Sequence, residues 1–294
     1  MENGIFFLSF PIYGGQAMKY TDLALESANL LKAQLDSTDG SLPGVSVDED
    51  RYSEDVLVTR IAVETELASV QMQKPRGTYI TIEAKHLLEG NPDVADQVIQ
   101  AIATELSRLV PFHYYLKVLI AGIGNEKITP DSLGPHTVSK VRVTRHLFLA
   151  YNCDGDPEQA NVAAINPGVM AQTGVETAEI LRRLVDFLKP DALIAVDSLA
   201  ARDVNRMNTT VQMTDTGISP GAGMKNHRAK LTKETVGCPV IAIGVPTVIH
   251  CQALLNDETA PDLIVTATNI DQVIHDFSSV IASAIDRALH PGLF

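Results

Sequence analysis

Apolar residues recur along this chain with two different periods. Val94, Val98, Ile102, Leu106 and Leu109 fall three or four apart in NPDVADQVIQAIATELSRLV (91–110), which predicts an amphipathic helix. Similar spacing predicts helices over about 132–148, over VETAEILRRLVDFLK (175–189) with Pro190 as its stop, and over NIDQVIHDFSSVIASAIDRAL (269–289). Between them lie apolar runs of strand length: LKVLIAGIG (116–124), NVAAIN (161–166), DALIAVD (191–197), TTVQMT (209–214) and PVIAIGVP (239–246). Such strands separated by helices predict an α/β fold, a single three-layer domain with a mostly parallel sheet covered on both faces.

The N-terminal part is less regular. VLVTRIAVETEL (56–67) and GTYITIEA (77–84) read as β-rich runs joined around KPRG as a hairpin or edge ribbon. TDLALESANLLKAQL (21–35) predicts a short helix with Leu23, Leu30 and Leu31 near one face. DSTDGSLPGVSVDEDRYSED (36–55) is acidic and rich in Ser, Gly and Pro, and reads as a mobile linker. These readings divide the chain into an arm and linker, 1–50, and an α/β core, 51–294.

Composition narrows the function. The 294 residues carry 36 Asp and Glu against 23 Lys and Arg, a formal charge of −13, which repels phosphate backbones and argues against direct nucleic-acid binding. Cys153, Cys238 and Cys251 lack CxxC spacing and read as reduced thiols of a cytoplasmic protein, with no disulfide frame or zinc site. The apolar patch in MENGIFFLSFPIYGGQ lacks a positive n-region, so it is not read as a signal peptide. No run approaches the roughly 18 apolar residues of a membrane span.

In open α/β sheets ligands bind beyond the carboxyl ends of the strands. Two acids stand there: Asp197 ends the run LIAV, and Asp131 follows VLIAGIG after a short loop. Two neighbouring carboxylates can divide the work of hydrolysis, one activating water and one polarising the carbonyl, or can ligate a metal that does so. Each acid also has a plainer reading. Asp131, between Pro130 and Ser132, has the form of a helix N-cap, and Asp197 could bond to the following loop with Arg202 as its ion partner. GIGN (122–125) lacks the rest of either phosphate-binding motif. DTGISPGAG (215–223) reads as a glycine-rich active-site loop, with Gly217, Gly221 and Gly223 allowing close backbone approach. The eight histidines show no HExxH spacing and no serine sits in GxSxG, so neither a dedicated metal site nor a nucleophile elbow is expected.

Several longer blocks resemble the germination proteases of spore-forming bacteria, the enzymes that degrade small acid-soluble spore proteins. They are GIGNEKITPDSLGP (122–135), VTRHLF (143–148), PGVMAQTGVET (167–177), KPDALIAVDSLAAR (189–202), TDTGISPGAG (214–223) and KETVGCPVIAIGVPTVI (233–249). The resemblance implies a fold similar to hydrogenase-maturation endopeptidases and an atypical aspartic-type endopeptidase with Asp131 and Asp197 as its carboxylates. It implies cleavage of Glu/Asp–apolar bonds, a cytoplasmic homotetramer of the spore core, and no cofactor. YTDLALE (20–26) resembles the family's self-processing segment, which implies a zymogen cut between Asp22 and Leu23. A similar stretch, TELAS (65–69), falls in a predicted strand and is expected to be silent because its backbone is already paired. The alternatives are a metal-dependent maturation endopeptidase of the same fold and a non-catalytic regulatory protein.

Overall fold

The computed structural model describes residues 21–35, 42–221, 229–257 and 259–294. Its first part is helix α1 (Ala24–Leu35), strands β1 (Val45–Arg51) and β2 (Val56–Val63), helix α2 (Glu66–Met72) and strand β3 (Gly77–Ala84). Then come α3 (Pro92–Leu109), β4 (Lys117–Gly122), α4 (Leu133–Val138), α5 (Arg145–Tyr151) and β5 (Asn161–Ile165). The remainder is α6 (Met170–Thr173), α7 (Thr177–Leu188), β6 (Ala192–Ala201), β7 (Thr210–Thr214), α8 (Lys233–Val236), β8 (Val240–His250), α9 (Cys251–Leu254), β9 (Ile264–Thr266) and α10 (Ile270–Leu289).

The strands form one sheet in the order β1-β2-β3-β7-β8-β6-β4-β5, with β9 added to the end of β8. Its parallel part is β5-β4-β6-β8, built from the apolar runs, and β1, β2, β3 and β7 extend it as antiparallel neighbours. Alternation along β6 shows the layering. Ile194 and Val196 face a core closed by α3 and α10, including Val98, Ile102 and Phe277. Leu193 and Ala195 face Leu181 and Val185 of α7 on the other side. The predicted three-layer α/β domain is therefore present. Helix α3 starts where Asn91 accepts the backbone N–H of Asp93 and Pro92 fills a first-turn position that needs no donor.

Several local expectations change. TELAS lies in no strand: Thr65 caps α2 by accepting the N–H of Ala68, and Ala68 and Met72, four apart, are buried. The chain thus turns out of the sheet between β2 and β3, which still pair as antiparallel neighbours. The linker reading fails for 45–51, which form edge strand β1. Six of its seven residues are exposed, so alternation gives no signal, while its acids blunt the open edge. The expected arm–core boundary at residue 50 thus falls inside paired structure, and α1 also packs against β2, β3 and α2 through Leu25, Ala28 and Leu31. The helix expected over 132–148 is broken into α4 and α5. Thr144 ties the intervening chain to β5, donating its backbone N–H to Val162 O at 3.1 Å and its hydroxyl to Ala160 O at 2.6 Å. Among the described residues no helix is long and apolar enough to cross a membrane.

Candidate active site

Strands β4 and β6 pair in parallel as far as Gly122 opposite Val196; Asp197 directly follows Val196, and Asp131 comes nine residues after Gly122. Asp131 ends a single 3₁₀ turn, Thr129–Asp131, and Ser132 rather than Asp131 stands at the start of α4. No side-chain cap bond is made there, so the N-cap reading does not hold. The Asp131 carboxylate instead reaches back along the loop, and its Oδ2 accepts the backbone N–H of Asn125 at 2.9 Å. The same N–H lies 3.0 Å from the Asp131 carbonyl oxygen. Thr247 of β8 fixes the turn from the other side by donating its hydroxyl to Pro130 O at 2.7 Å.

Asp197 lies within β6, because the strand continues past it to Ala201. It is buried, 3% exposed, and its Oδ1 accepts the Ser198 N–H at 2.8 Å. Arg202 contributes its backbone N–H to this neighbourhood, and that donor goes to Glu26.

A cavity of about 160 Å³ opens beside the end of β6. Asp131, residues 198–200, Gly221 and Asp22 line it, with Thr247, Val248 and β9 closing one side. Asp22 belongs to the segment expected to be processed. Its N–H donates to Ala200 O at 3.2 Å, and its Oδ2 accepts the Ala200 N–H at 2.8 Å. Leu23 is fully buried among Leu199 and Ala201, with Ile218 against it. Such burial stabilises by about 2 kcal/mol. The Glu26 carboxylate accepts the N–H groups of Arg202 and Asp203, each at 2.9 Å, and the Thr21 hydroxyl.

Between these anchors the Asp22 carbonyl oxygen accepts two side-chain donors, Lys74 Nζ and Gln212 Nε2, both at 2.9 Å. Gln212 Oε1 accepts the Ala24 N–H at 2.6 Å. Burial lowers the Lys74 pKa from its ordinary value, against an upward pull from the charges of Asp22 and Glu26.

The structure thus gathers Asp22, Asp131 and Gly221 at this cavity with Leu23 packed beside the end of β6, whereas Asp197 lies further back within the strand and is not among the residues that line the cavity. Gly217 has a different task. Its φ is +81° and an added Cβ would come within 2.1 Å of Leu231 O, so it permits the bridge between Ile218 and Leu231. Gly223 lies outside the described residues. Cys238 is buried, and that burial pushes its thiol up to about 11, far from a reactive thiolate. Among the described residues no group of three or more His, Cys, Asp or Glu could hold a metal ion. The sequence reading missed Lys74, Gln212 and the Glu26 anchor. The single signal for them was Gln212 itself, an amide inside an apolar strand that has to find partners.

The family model described as germination protease matches residues 22–260. The germination protease of Caldanaerobacter subterraneus subsp. tengcongensis is 38% identical over 313 aligned residues, covering 93% of this chain and 94% of that one. That of Clostridium perfringens (strain 13 / Type A) is 34% identical, covering 93% and 95%. The Bacillus cereus (strain 03BB102) protein is 39% identical over 246 residues, 81% of this chain and 65% of its own. Among solved structures, the NiFe hydrogenase maturation protease HycI from Thermococcus kodakarensis KOD1 covers 62% of this chain and 98% of its own. At 17% identity and a TM-score of 0.37 that likeness is too slight to bear on function. The matched model, over residues 22–260, and relatives of 34–39% identity place this chain in the germination protease family, as a peptidase of that family.

Proposed function

We propose that the chain is made as a zymogen, cuts its own Asp22–Leu23 bond, and then initiates degradation of small acid-soluble spore proteins during germination by cleaving Glu/Asp–apolar bonds. Residues 1–22 are the propeptide of this reading. The observation that carries it is the seating of residues 21–26 at the cavity that Asp131 lines, with an acid before the bond and a fully buried leucine after it.

Asp131 and Asp197 supply the chemistry as an atypical aspartic-type pair. One carboxylate takes a proton from the attacking water, and the other, protonated, gives one to the departing amine. No cofactor enters this scheme. The substrate proteins coat DNA in the spore core, and the net charge of −13 keeps the enzyme's own surface from competing for that DNA. By family resemblance the working form is a homotetramer.

The test is digestion of a purified small acid-soluble spore protein by the processed chain, with sequencing of the new N-termini. The expected products begin with an apolar residue that follows Glu or Asp in the substrate. Asp131→Asn and Asp197→Asn should each slow digestion by about 1,000-fold or more, as removal of an essential acid–base group does. Product ends unrelated to acidic residues, full activity in both variants, or loss of activity in excess chelator would each overturn the reading.

A further inference from the structure

A peptide carbonyl just outside a helix is ordinarily satisfied by water or backbone, yet the oxygen of Asp22 is held by two side chains. Lys74 Nζ and Gln212 Nε2 both donate to it at 2.9 Å. Neither side chain arrives there by default. Lys74 gives up hydration, and its ammonium bonds the carbonyls of Thr21 and Asp22, each at 2.9 Å. The two acids nearest in charge are engaged with backbone donors, Asp22 with Ala200 N–H and Glu26 with those of Arg202 and Asp203. The Lys74 backbone is itself pinned. Its N–H goes to Ser69 O, its carbonyl accepts the Ser69 hydroxyl at 2.7 Å, and the next carbonyl, of Pro75, accepts the Tyr79 hydroxyl at 2.8 Å.

Gln212 sits in β7 between Val211 and Met213, both fully buried. Its amide uses both ends on the segment: the N–H bonds the carbonyl of residue 22 and the oxygen accepts the N–H of residue 24. The partners fix the orientation of the amide, since a carbonyl needs a donor and an N–H an acceptor. It therefore grips the backbone on both sides of residue 23. The sheet order separates these groups from the acids. Lys74 and Gln212 come from the β3–β7 side, and Asp131 follows β4, beyond β8 and β6.

We propose that Lys74 and Gln212 are catalytic residues of the peptidase reaction, the donor pair that polarises the scissile carbonyl and stabilises the negative charge forming on its oxygen. This rests on the assignment of Asp22–Leu23 as the bond cut. Water adds to the Asp22 carbonyl carbon and loses a proton to one carboxylate. The π pair of the carbonyl moves onto the oxygen held by Lys74 and Gln212. When the pair returns, the C–N bond breaks and the Leu23 nitrogen takes a proton from the other carboxylate. A substrate protein would set its own scissile carbonyl between the same two donors.

The experiment follows self-processing of the full-length chain by intact mass for wild type, Lys74→Met and Gln212→Glu. It also follows amide exchange at Ala24 in each, within an Asp197→Asn background that keeps the bond whole. Gln212→Glu conserves volume and the acceptor for Ala24 N–H while removing the donor to the carbonyl. Each change should slow processing by about 100-fold, the usual loss for one such donor, with Ala24 as protected as before. Processing at the wild-type rate would overturn the proposal, and so would slowing accompanied by loss of Ala24 protection, which would make the pair a clamp only. A wild-type chain that never cleaves after Asp22 would contradict the assignment of the bond itself.

Discussion

At Gly124 the backbone φ is +117°, and an added Cβ would stand 2.0 Å from the carbonyl oxygen of Asp131. That glycine lets the loop after β4 fold back so that Asn125 can donate to the Asp131 carboxylate. Gly124→Ala should cost about 2–3 kcal/mol through strain and displacement of the turn. Because the displaced residue is Asp131, self-processing should also slow at least tenfold. Gly90→Ala is the control: it has φ +76° but nothing within 4 Å of its added Cβ, so it should lose only about 1 kcal/mol and process normally. Gly124→Ala processing at the Gly90→Ala rate would separate Asp131 from the chemistry. At this scale the sequence pointed to the acids because each comes after a long apolar run. It concealed Lys74, which reads as a solvated turn residue in KPRG, because its partners are carbonyls more than fifty positions away.

Among the elements, β1 depends on charge where the central strands depend on burial. Arg60 of β2 meets Asp48 and Asp50 of β1 on the exposed side and holds the buried Glu105 of α3 through Nε at 3.0 Å and Nη2 at 2.7 Å. Arg60 thus joins the edge strand, its neighbour and the helix beneath. The surface contacts contribute little, whereas leaving Glu105 with Arg108 as its remaining ion partner is costly. Arg60→Met should destabilise by about 2–3 kcal/mol in urea unfolding, and Asp48→Ala by under about 0.5 kcal/mol. Equal losses would show that the edge contacts carry the effect. Such a strand has no apolar alternation for sequence reasoning to find, and α2 is hidden by the opposite ambiguity. VETEL continues the pattern of β2 until Thr65 caps a helix, and a cap requires only one hydroxyl and one N–H. Helices α3, α7 and α10 were legible because long stretches of regular spacing average over such local choices.

For the molecule as a whole, the fold seats one short N-terminal stretch, residues 21–26, beside the cavity that Asp131 lines. The match to the family begins at residue 22, the residue whose carbonyl Lys74 and Gln212 hold. Fold class could be read from the apolar runs, and the acids that follow Val196 and the β4 loop could be singled out as candidates. The grip on residues 21–26 could not, because it is assembled from β6, β7 and the turn before β3, which meet only once the sheet has formed. The most direct measurement is the intact mass of the full-length chain over time at mildly acidic pH. The account predicts conversion to one species lacking residues 1–22 and beginning at Leu23, with no conversion in Asp131→Asn or Asp197→Asn. A chain that keeps its first 22 residues, or that loses them equally fast in both variants, would contradict it.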